Sequence, residues 1–175
     1  MSEEESNSGK ASIRVNGLQV LKTTGEGGSK LDFEEFKDKI ANYFVQNRDN
    51  GTDIAHLISE REDPDFPEPT EPTGDKAKVT INQKLYERQL KVFFEREEEY
   101  ERNKKTLFSL VWENVSEETQ DLIMSKQGYE QANIDKDPKW ILKALHSIIE
   151  DFDDKKHIIL SMDDQLEKIV NSPKS

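Results

Sequence analysis

A run of helix start and stop signals between Tyr86 and Phe152 is the feature that most constrains this chain. A charged stretch leads into the apolar run LFSLVW, and Ser116 then precedes two glutamates. This order is typical of a capped helix start, because acids interact favourably with the positive end of the helix dipole. The pair Asp137–Pro138 is a second start signal, since aspartate caps a helix and proline suits its first position. The pattern predicts one long charged helix, a tight turn, a short helix, and an apolar helix that ends near Phe152.

The long charged helix is predicted to begin at a capping pair formed by Thr80 and Gln83. Apolar residues at intervals of seven follow on one side, with Leu90 and Val111 beside them: Tyr86, Phe93, Tyr100 and Leu107. The middle of the helix is mostly charged, so we expect solvent around Tyr100. The interval of seven fits either a coiled-coil seam or a long amphipathic helix packed on its own domain. The second interpretation is favoured because the run is short.

Two helices are predicted before the long one. The first begins near Asp32, which forms an acidic capping pair with Glu35, and ends at Asn50. Its apolar residues share one face, which we interpret as core packing in preference to a ligand groove: Phe33, Phe36, Ile40, Tyr43 and Phe44. The second is a short helix that begins at Thr52 and directs three apolar residues inward: Ile54, Leu57 and Ile58.

Three helices are predicted after the long one. The short helix capped by Ser116 ends at Gly128, which suits a helix stop, and buries Leu122, Ile123 and Met124. The helix that begins at Pro138 carries one apolar stripe: Ile141, Leu145, Ile148 and Phe152. A separate last helix is predicted from Met162 to Val170, with Ser161 as its cap.

The remaining segments divide the chain into a domain with two tails. Residues 1–30 are predicted to be a flexible acidic and glycine-rich tail, residues 31–171 a helical domain, and residues 172–175 a second tail. Within the domain, residues 62–79 carry four prolines among acids, which excludes a helix and favours an extended backbone. We interpret this segment as a surface loop, with a ligand for a proline-binding domain as the alternative. The expected fold class is all-α: a compact bundle of about five to six helices, including one long charged helix.

Composition and charge argue against several classes of function. The net charge of −12 repels phosphates, so we expect this segment not to bind nucleic acid by itself. Hydrophobic residues make up only 33% of the chain, and no apolar run approaches the roughly 20 residues that span a bilayer, so we expect no membrane partner. The N-terminus is acidic and polar, unlike a signal peptide, and the chain has no cysteine. A cytoplasmic location is expected.

The side chains that metal and catalytic sites require are scarce or badly spaced. Without cysteine, a zinc site would need carboxylates to converge with the three histidines: His56, His146 and His157. Asp135 and Asp137 begin like a calcium loop, but its sixth position is Trp140, where glycine is needed, and its twelfth is His146 in place of glutamate. We therefore predict no catalytic, cofactor-binding or metal-binding residue, and no enzyme activity.

The order of parts from Leu31 to Phe152 resembles the capsid region of copia-type retrotransposon Gag polyproteins. That family has an early amphipathic helix, a variable loop, and a long helix in which an acidic stretch precedes an apolar segment ending in tryptophan. The acidic stretch, Glu-x-x-Tyr-Glu-x-Asn-Lys, corresponds to Glu97, Tyr100, Glu101, Asn103 and Lys104, and the apolar segment to residues 107–112. The family then shows a serine–glutamate turn and an Asp-Pro-x-Trp helix start, matched here by Ser116, Glu117, Asp137, Pro138 and Trp140.

This resemblance implies an N-terminal capsid-like domain, all-α and non-catalytic, that assembles with copies of itself. The family usually continues into a second helical half and often into a cysteine-containing zinc knuckle that binds RNA. This chain has no cysteine, so RNA packaging is not carried over. The alternative function is a helical adaptor or regulatory module that binds another protein. We expect Phe108, Trp112 and Trp140 in the core, with a role as interface anchors as the alternative.

Overall fold

The computed structural model describes residues 13–23, 28–74 and 76–170. Within those residues the chain forms six helices, and strand pairing is limited to one isolated bridge, so the predicted all-α fold class is confirmed. The predicted tail at 172–175 and the first twelve residues of the N-terminal tail lie outside the described residues. The helices are α1 Lys30–Asn47, α2 Gly51–Glu60, α3 Lys76–Glu113, α4 Glu117–Met124, α5 Tyr129–Asp135 and α6 Pro138–Val170.

The first helix begins earlier than predicted because Ser29, and not Asp32, caps it. The Ser29 Oγ accepts a hydrogen bond from the Asp32 backbone N–H at 3.1 Å, and the Asp32 carboxylate accepts one from the Ser29 backbone N–H at 3.0 Å. Asp32 is therefore the third residue of a capping box, in which each residue satisfies a backbone donor of the other. The predicted apolar face of α1 is buried at Phe33, Phe36 and Phe44.

The connection between α1 and α2 depends on a glycine. A Cβ atom at Gly51 would lie 1.9 Å from the Phe44 carbonyl oxygen, so a side chain there would collide with the α1 backbone. This close approach lets α2 fold back onto α1 after a short turn, and the two helices pack extensively on each other. The prediction that α2 directs three apolar residues inward is confirmed, since all three are buried: Ile54, Leu57 and Ile58.

The long helix α3 begins at Lys76, so the predicted start at Thr80 and the predicted loop end at residue 79 are both late. The expectation of solvent around Tyr100 is wrong, because that side chain is only 4% exposed. The charged residues around Tyr100 suggested an exposed helix face, but the proline-rich segment that precedes α3 covers this side chain. The second half of α3 enters the core as predicted, with four buried side chains: Leu107, Phe108, Leu110 and Val111.

The region between α3 and α6 contains one helix more than predicted. Ser116 caps α4 as expected, with its Oγ accepting from the Thr119 backbone N–H at 3.3 Å. The helix α4 ends at Met124, which is exposed and not buried. Gly128, predicted to stop that helix, instead precedes α5 in a left-handed conformation, with φ of 92°. A short helix such as α5 has too few residues to show a clear periodic signal.

The last helix, α6, is continuous, which corrects the prediction of separate helices ending near Phe152 and starting at Met162. Asp137 caps its start as predicted, since its Oδ1 accepts from the Lys139 backbone N–H at 2.9 Å. No proline or glycine lies between Phe152 and Ser161, so nothing in the sequence interrupts the ladder of backbone hydrogen bonds. The serine that resembled a cap is simply an internal helical residue.

Residues 13–23 pack on the helical body, so the prediction of a flexible tail over 1–30 is wrong for this part. Leu21 is 3% exposed, and its backbone pairs with the junction of α3 and α4: its N–H donates to the Asn114 carbonyl at 2.8 Å, and its carbonyl accepts from the Ser116 N–H at 2.9 Å. Thr23 and Thr119 share a buried hydrogen bond at 3.0 Å between their hydroxyls. The high glycine content of the neighbouring sequence conceals this short apolar anchor.

One core joins all these parts and involves residues from five of the helices and from the N-terminal segment. Phe108 is buried in it, as expected. The two tryptophans lie at its border and are half-buried. Tyr129 of α5 lies between them, with ring centroids 5.6 Å from Trp112 and 6.1 Å from Trp140. The short helix α5 thus closes one side of the core through aromatic contacts.

Candidate interaction surface

The end of α6 extends beyond the helical body. Every residue from 154 to 170 is exposed, whereas the buried residues of α6 lie between Pro138 and Ile149. We call residues 154–170 the α6 overhang. At 1.5 Å per residue it is about 24 Å long.

Large apolar side chains lie along one side of the α6 overhang and are between 57 and 79% exposed: Ile158, Ile159, Met162, Leu166, Ile169 and Val170. We call this set the α6 stripe. At about 100° of rotation per residue, its members fall within an arc of about 120° of the helix circumference. A contiguous exposed apolar face of this kind is typical of a surface that binds another protein.

The α6 stripe continues the buried face of the same helix. Ile141, Leu145 and Ile148 face the core, and half-buried Phe152 marks the edge of the body. From Ile141 onward the apolar positions alternate between intervals of four and three residues, with Lys155 as the one polar member of the series. This is the spacing of a seam between two paired helices. One periodic face thus packs on its own chain in its first half and on nothing described in its second half.

The charged residues of the overhang fall into two groups. Asp154, Lys155 and Lys156 lie near its start, and four others lie further along it: Asp163, Asp164, Glu167 and Lys168. The Lys155 ammonium lies 5.7 Å from the centroid of the Phe152 ring, so its stem follows the apolar face. The overhang is therefore positive near the body and negative towards its end.

The other long helix has a comparable extension that is partly covered. Residues 62–74, which we call the strap, contain no helix and join α2 to the start of α3. One end of the strap contacts Tyr100, while the other end precedes Lys76. The two points are more than 30 Å apart along α3, because the helix rises 1.5 Å per residue. So few residues can span this distance only if the strap runs almost straight along the first half of α3.

From Phe66 onward the strap is half-buried at every third position, at Phe66, Pro69 and Pro72, and exposed between them. A polyproline II backbone has three residues per turn, so these positions share one edge. The half-buried residues of α3 in this region recur at helical spacing: Tyr86, Leu90 and Phe93. The strap therefore partly covers the apolar face of α3 that carries Tyr86 and Phe93. This favours a long helix packed on its own domain over a coiled-coil seam between chains.

A polar cluster fastens the strap to the body. The Asp63 carboxylate accepts a hydrogen bond from the Tyr100 hydroxyl at 2.9 Å and another from the Lys139 ammonium, and the Lys104 Nζ lies 3.8 Å away. Partial burial raises the pKa of Asp63, but the hydrogen bonds from Lys139 and Tyr100 and the charge of Lys104 outweigh it, so the pKa lies below 3.8. Burial, and the carboxylate beside it, raise the pKa of Tyr100 far above its usual value.

A second contact holds the neighbouring part of the strap. The Phe66 ring meets the Tyr100 ring edge to face at 5.2 Å, and the Arg96 guanidinium lies 4.8 Å from the Phe66 centroid. That guanidinium also donates two hydrogen bonds to buried Asp53 of α2, at 2.6 and 2.9 Å. The hydrogen bond to Asp53 raises the pKa of Arg96, so the guanidinium stays charged. Sequence reasoning missed both contacts, because residues far apart along the chain make them.

The residues considered for metal binding do not form a site in the part of the chain that the structure describes. No group of three or more histidine, aspartate or glutamate side chains converges there. His146 pairs with Glu150 on α6 at 3.3 Å, while His56 and His157 are exposed. Asp135 ends α5 and Asp137 caps α6, so each has a local structural role.

Two concavities of the described surface have mostly polar linings. One lies between residues 18–22 and α1, where Asp32, Glu35 and Lys39 surround Phe36. Another is lined almost entirely by charged side chains of α3, α5 and the start of α6. No described helix is long and apolar enough to cross a membrane.

Comparisons with protein-family models, with curated proteins and with solved structures find no match to this chain. The fold and the α6 stripe are therefore the observations from which function can be argued. The signal for the stripe was present in the sequence, because the spacing that starts at Ile141 continues to Ile169. The predicted apolar stripe ended at Phe152, which two aspartates and two lysines follow, and Met162 to Val170 was assigned to a separate helix.

Proposed function

We propose that the chain is a non-catalytic assembly module of the capsid-like kind that the resemblance to copia-type Gag polyproteins implies, acting by contact between copies of itself. The α6 stripe is the single observation that carries this proposal. Burial of apolar surface contributes about 25 cal/mol per Å², and an uncovered stripe leaves that free energy available for association. The helical body holds the stripe on a continuous helix, so the surface is formed before any partner arrives.

The expected contact between copies is weak and sensitive to salt. The overhang presents a narrow surface, and weak contacts become effective when an assembly repeats them in a closed ring or lattice. Each copy carries a net charge of −12, so electrostatic repulsion opposes association until salt screens it. Self-association should therefore strengthen as the salt concentration rises.

The first experiment is light scattering coupled to size-exclusion chromatography, over a wide protein concentration range and at low and high salt. The expected result is a molar mass that rises with protein concentration and rises further at high salt. The variant Leu166→Asp places a charge in the stripe and should keep the protein monomeric. The matched control is Ser161→Asp, which adds the same charge to the overhang outside the stripe. A monomer at every concentration and salt level would contradict the proposal.

A helical adaptor that binds another protein is the second candidate. The observation that favours it is a smaller set of exposed apolar side chains that share one side of the first half of α3: Leu85 and Val92. These lie on a different helix from the α6 stripe, and two separate apolar patches suit a module that contacts unlike partners. A strictly monomeric protein in the scattering experiment would favour this function over self-assembly.

A further inference from the structure

We infer that the α6 overhangs of two copies pair in antiparallel orientation about a two-fold axis that passes between Leu160 and Ser161. This inference rests on the proposed function, because it requires association between copies, and it names the surface and the geometry. Ile159 of each copy lies against Met162 of the other, and Lys156 of each copy lies opposite Asp163 of the other.

The first argument is the register of the α6 stripe. Ile159, Met162, Leu166 and Ile169 are spaced by three, four and three residues, which is the spacing of the two core positions of a helix pair. In an antiparallel pair, the two kinds of core position alternate, so each layer contains one of each kind. Placing Ile159 against Met162 of the second copy puts Ile169 against half-buried Phe152 at the edge of the other body. Leu166 then lies against Lys155, whose stem follows the apolar face, and the stripe is covered along its whole length.

The second argument is charge. In this antiparallel register the flanking positions that face each other are those of Lys156 and Asp163, and the two-fold axis produces this pair of opposite charges twice. A parallel pair would place Lys155 directly against Lys155 of the second copy inside the seam. It would also place Asp163 opposite Ile158, without an opposite charge across the interface. Like charges in register disfavour an interface, whereas opposite charges select orientation.

The third argument is the position of the two bodies. Each body lies at the start of its own overhang, so an antiparallel pair holds the bodies at opposite ends of a helix pair about 24 Å long. That separation exceeds the Debye length of about 8 Å at physiological salt, so repulsion between two acidic bodies is largely screened. A parallel pair would bring both bodies to the same end. The antiparallel contact is isologous, since the same surface is used by both copies.

Charge reversal tests the pairing. Lys156→Glu places two acids opposite each other at each contact, and Asp163→Lys places two lysines opposite each other. Each variant should therefore raise the dimer dissociation constant about tenfold at low salt. The double variant Lys156→Glu/Asp163→Lys exchanges the charges and should restore dissociation close to that of the unaltered chain. Both residues are exposed, so the variants should fold, which circular dichroism would verify. Unequal effects with no restoration in the double variant would overturn the antiparallel register.

Disulfide cross-linking gives a second and independent readout, because the chain has no cysteine of its own. Ile159→Cys and Met162→Cys proteins are prepared separately, one with a mass tag, then mixed and oxidised. The antiparallel register predicts that the mixed dimer between the two variants forms faster than either dimer of like chains. A parallel pair would give cross-links between like chains only, and that result would overturn the inference.

The outcomes separate this inference from the proposed function. If the protein self-associates and Leu166→Asp prevents it, but neither charge exchange nor mixed cross-linking behaves as expected, only the antiparallel geometry is overturned. If the unaltered chain stays monomeric at every concentration and salt level, both the geometry and the proposed function are overturned.

Discussion

The first half of α3 and the second half of α6 are two helical extensions of the same body, and they differ in what covers them. The α3 extension has a strap that rests on one face, so Tyr86, Leu90 and Phe93 are half-buried. The α6 overhang has no described segment beside it, and its apolar side chains are 57 to 79% exposed along the stripe. Periodicity is similar in both helices. The comparison shows that the spacing of apolar residues predicts which face of a helix is covered but does not predict which segment covers it.

The difference arises from a short segment with unusual chemistry. Prolines keep the strap extended, so it loses less conformational entropy on ordering than a flexible loop would. Asp63 and Phe66 then fix its first part to Tyr100 and Arg96. Coverage of the α3 face thus depends on both the extended backbone of the strap and its attachment through Asp63 and Phe66.

Truncation of Tyr100 should give the largest difference between the two extensions. Tyr100→Ala removes a buried ring that contacts Phe66 and a hydroxyl that donates to Asp63, so we expect a loss of about 3–5 kcal/mol of unfolding free energy. Ile159→Ala in the α6 overhang should change the monomer by less than about 0.5 kcal/mol, because its side chain is exposed. Urea denaturation at low protein concentration measures both. Similar losses of unfolding free energy in the two variants would contradict the view that the α3 extension is covered and the α6 overhang is exposed.

Arg96→Ala should cost about 2–3 kcal/mol. The substitution leaves buried Asp53 without its two hydrogen bonds and removes the cation that covers the Phe66 ring. The control is Arg88→Ala, at an exposed position of the same helix, with an expected change below about 0.5 kcal/mol. Denaturation gives the free energies, and limited proteolysis of residues 62–74 reports release of the strap. Equal protease sensitivity in both variants would show that Arg96 does not hold it.

Acid should weaken the attachment of the strap through Asp63. The folded-state pKa of Asp63 lies below its unfolded value of 3.8, so its contribution to stability is present at neutral pH. The contribution declines as pH falls below about 3.8 and is absent below the folded-state pKa. Asp63→Asn lacks this titration, so the difference in stability between the unaltered chain and the variant should shrink through that range. Denaturation from pH 2 to 7 measures it, and a constant difference would contradict the assignment.

Single prolines of the strap should give the smallest effects. Pro69→Ala loses both a contact on the half-buried edge and the restriction that proline places on the unfolded chain, for which we expect about 1 kcal/mol. Pro67→Ala is the matched control, because Pro67 is exposed and loses only the restriction. The difference between the two variants, measured by thermal denaturation, isolates the packing of the strap on α3. A larger effect at Pro67 would place the other edge of the strap against the helix.

Particular residues show how far sequence reasoning reaches in this protein. Local signals identified the caps at Ser116 and Asp137 and the buried side of α2, because caps and helical periodicity depend on neighbours within a few residues. The predicted break before Met162 was wrong because a serine preceded by polar residues resembles a cap whether or not the helix continues. The predicted helix number agrees with the structure only because this error offsets the missed helix α5.

The sequence by itself determined that the chain is helical, acidic and free of cysteine, and it determined which face of each long helix is apolar. These are consequences of composition and of spacing along a helix, and they hold whatever the helices meet. Only the tertiary structure decided that Tyr100 is buried beneath the strap, that Leu21 is anchored at the junction of α3 and α4, and that no described segment covers the stripe beyond Phe152. Burial depends on contacts between distant residues, and local periodicity carries no information about them.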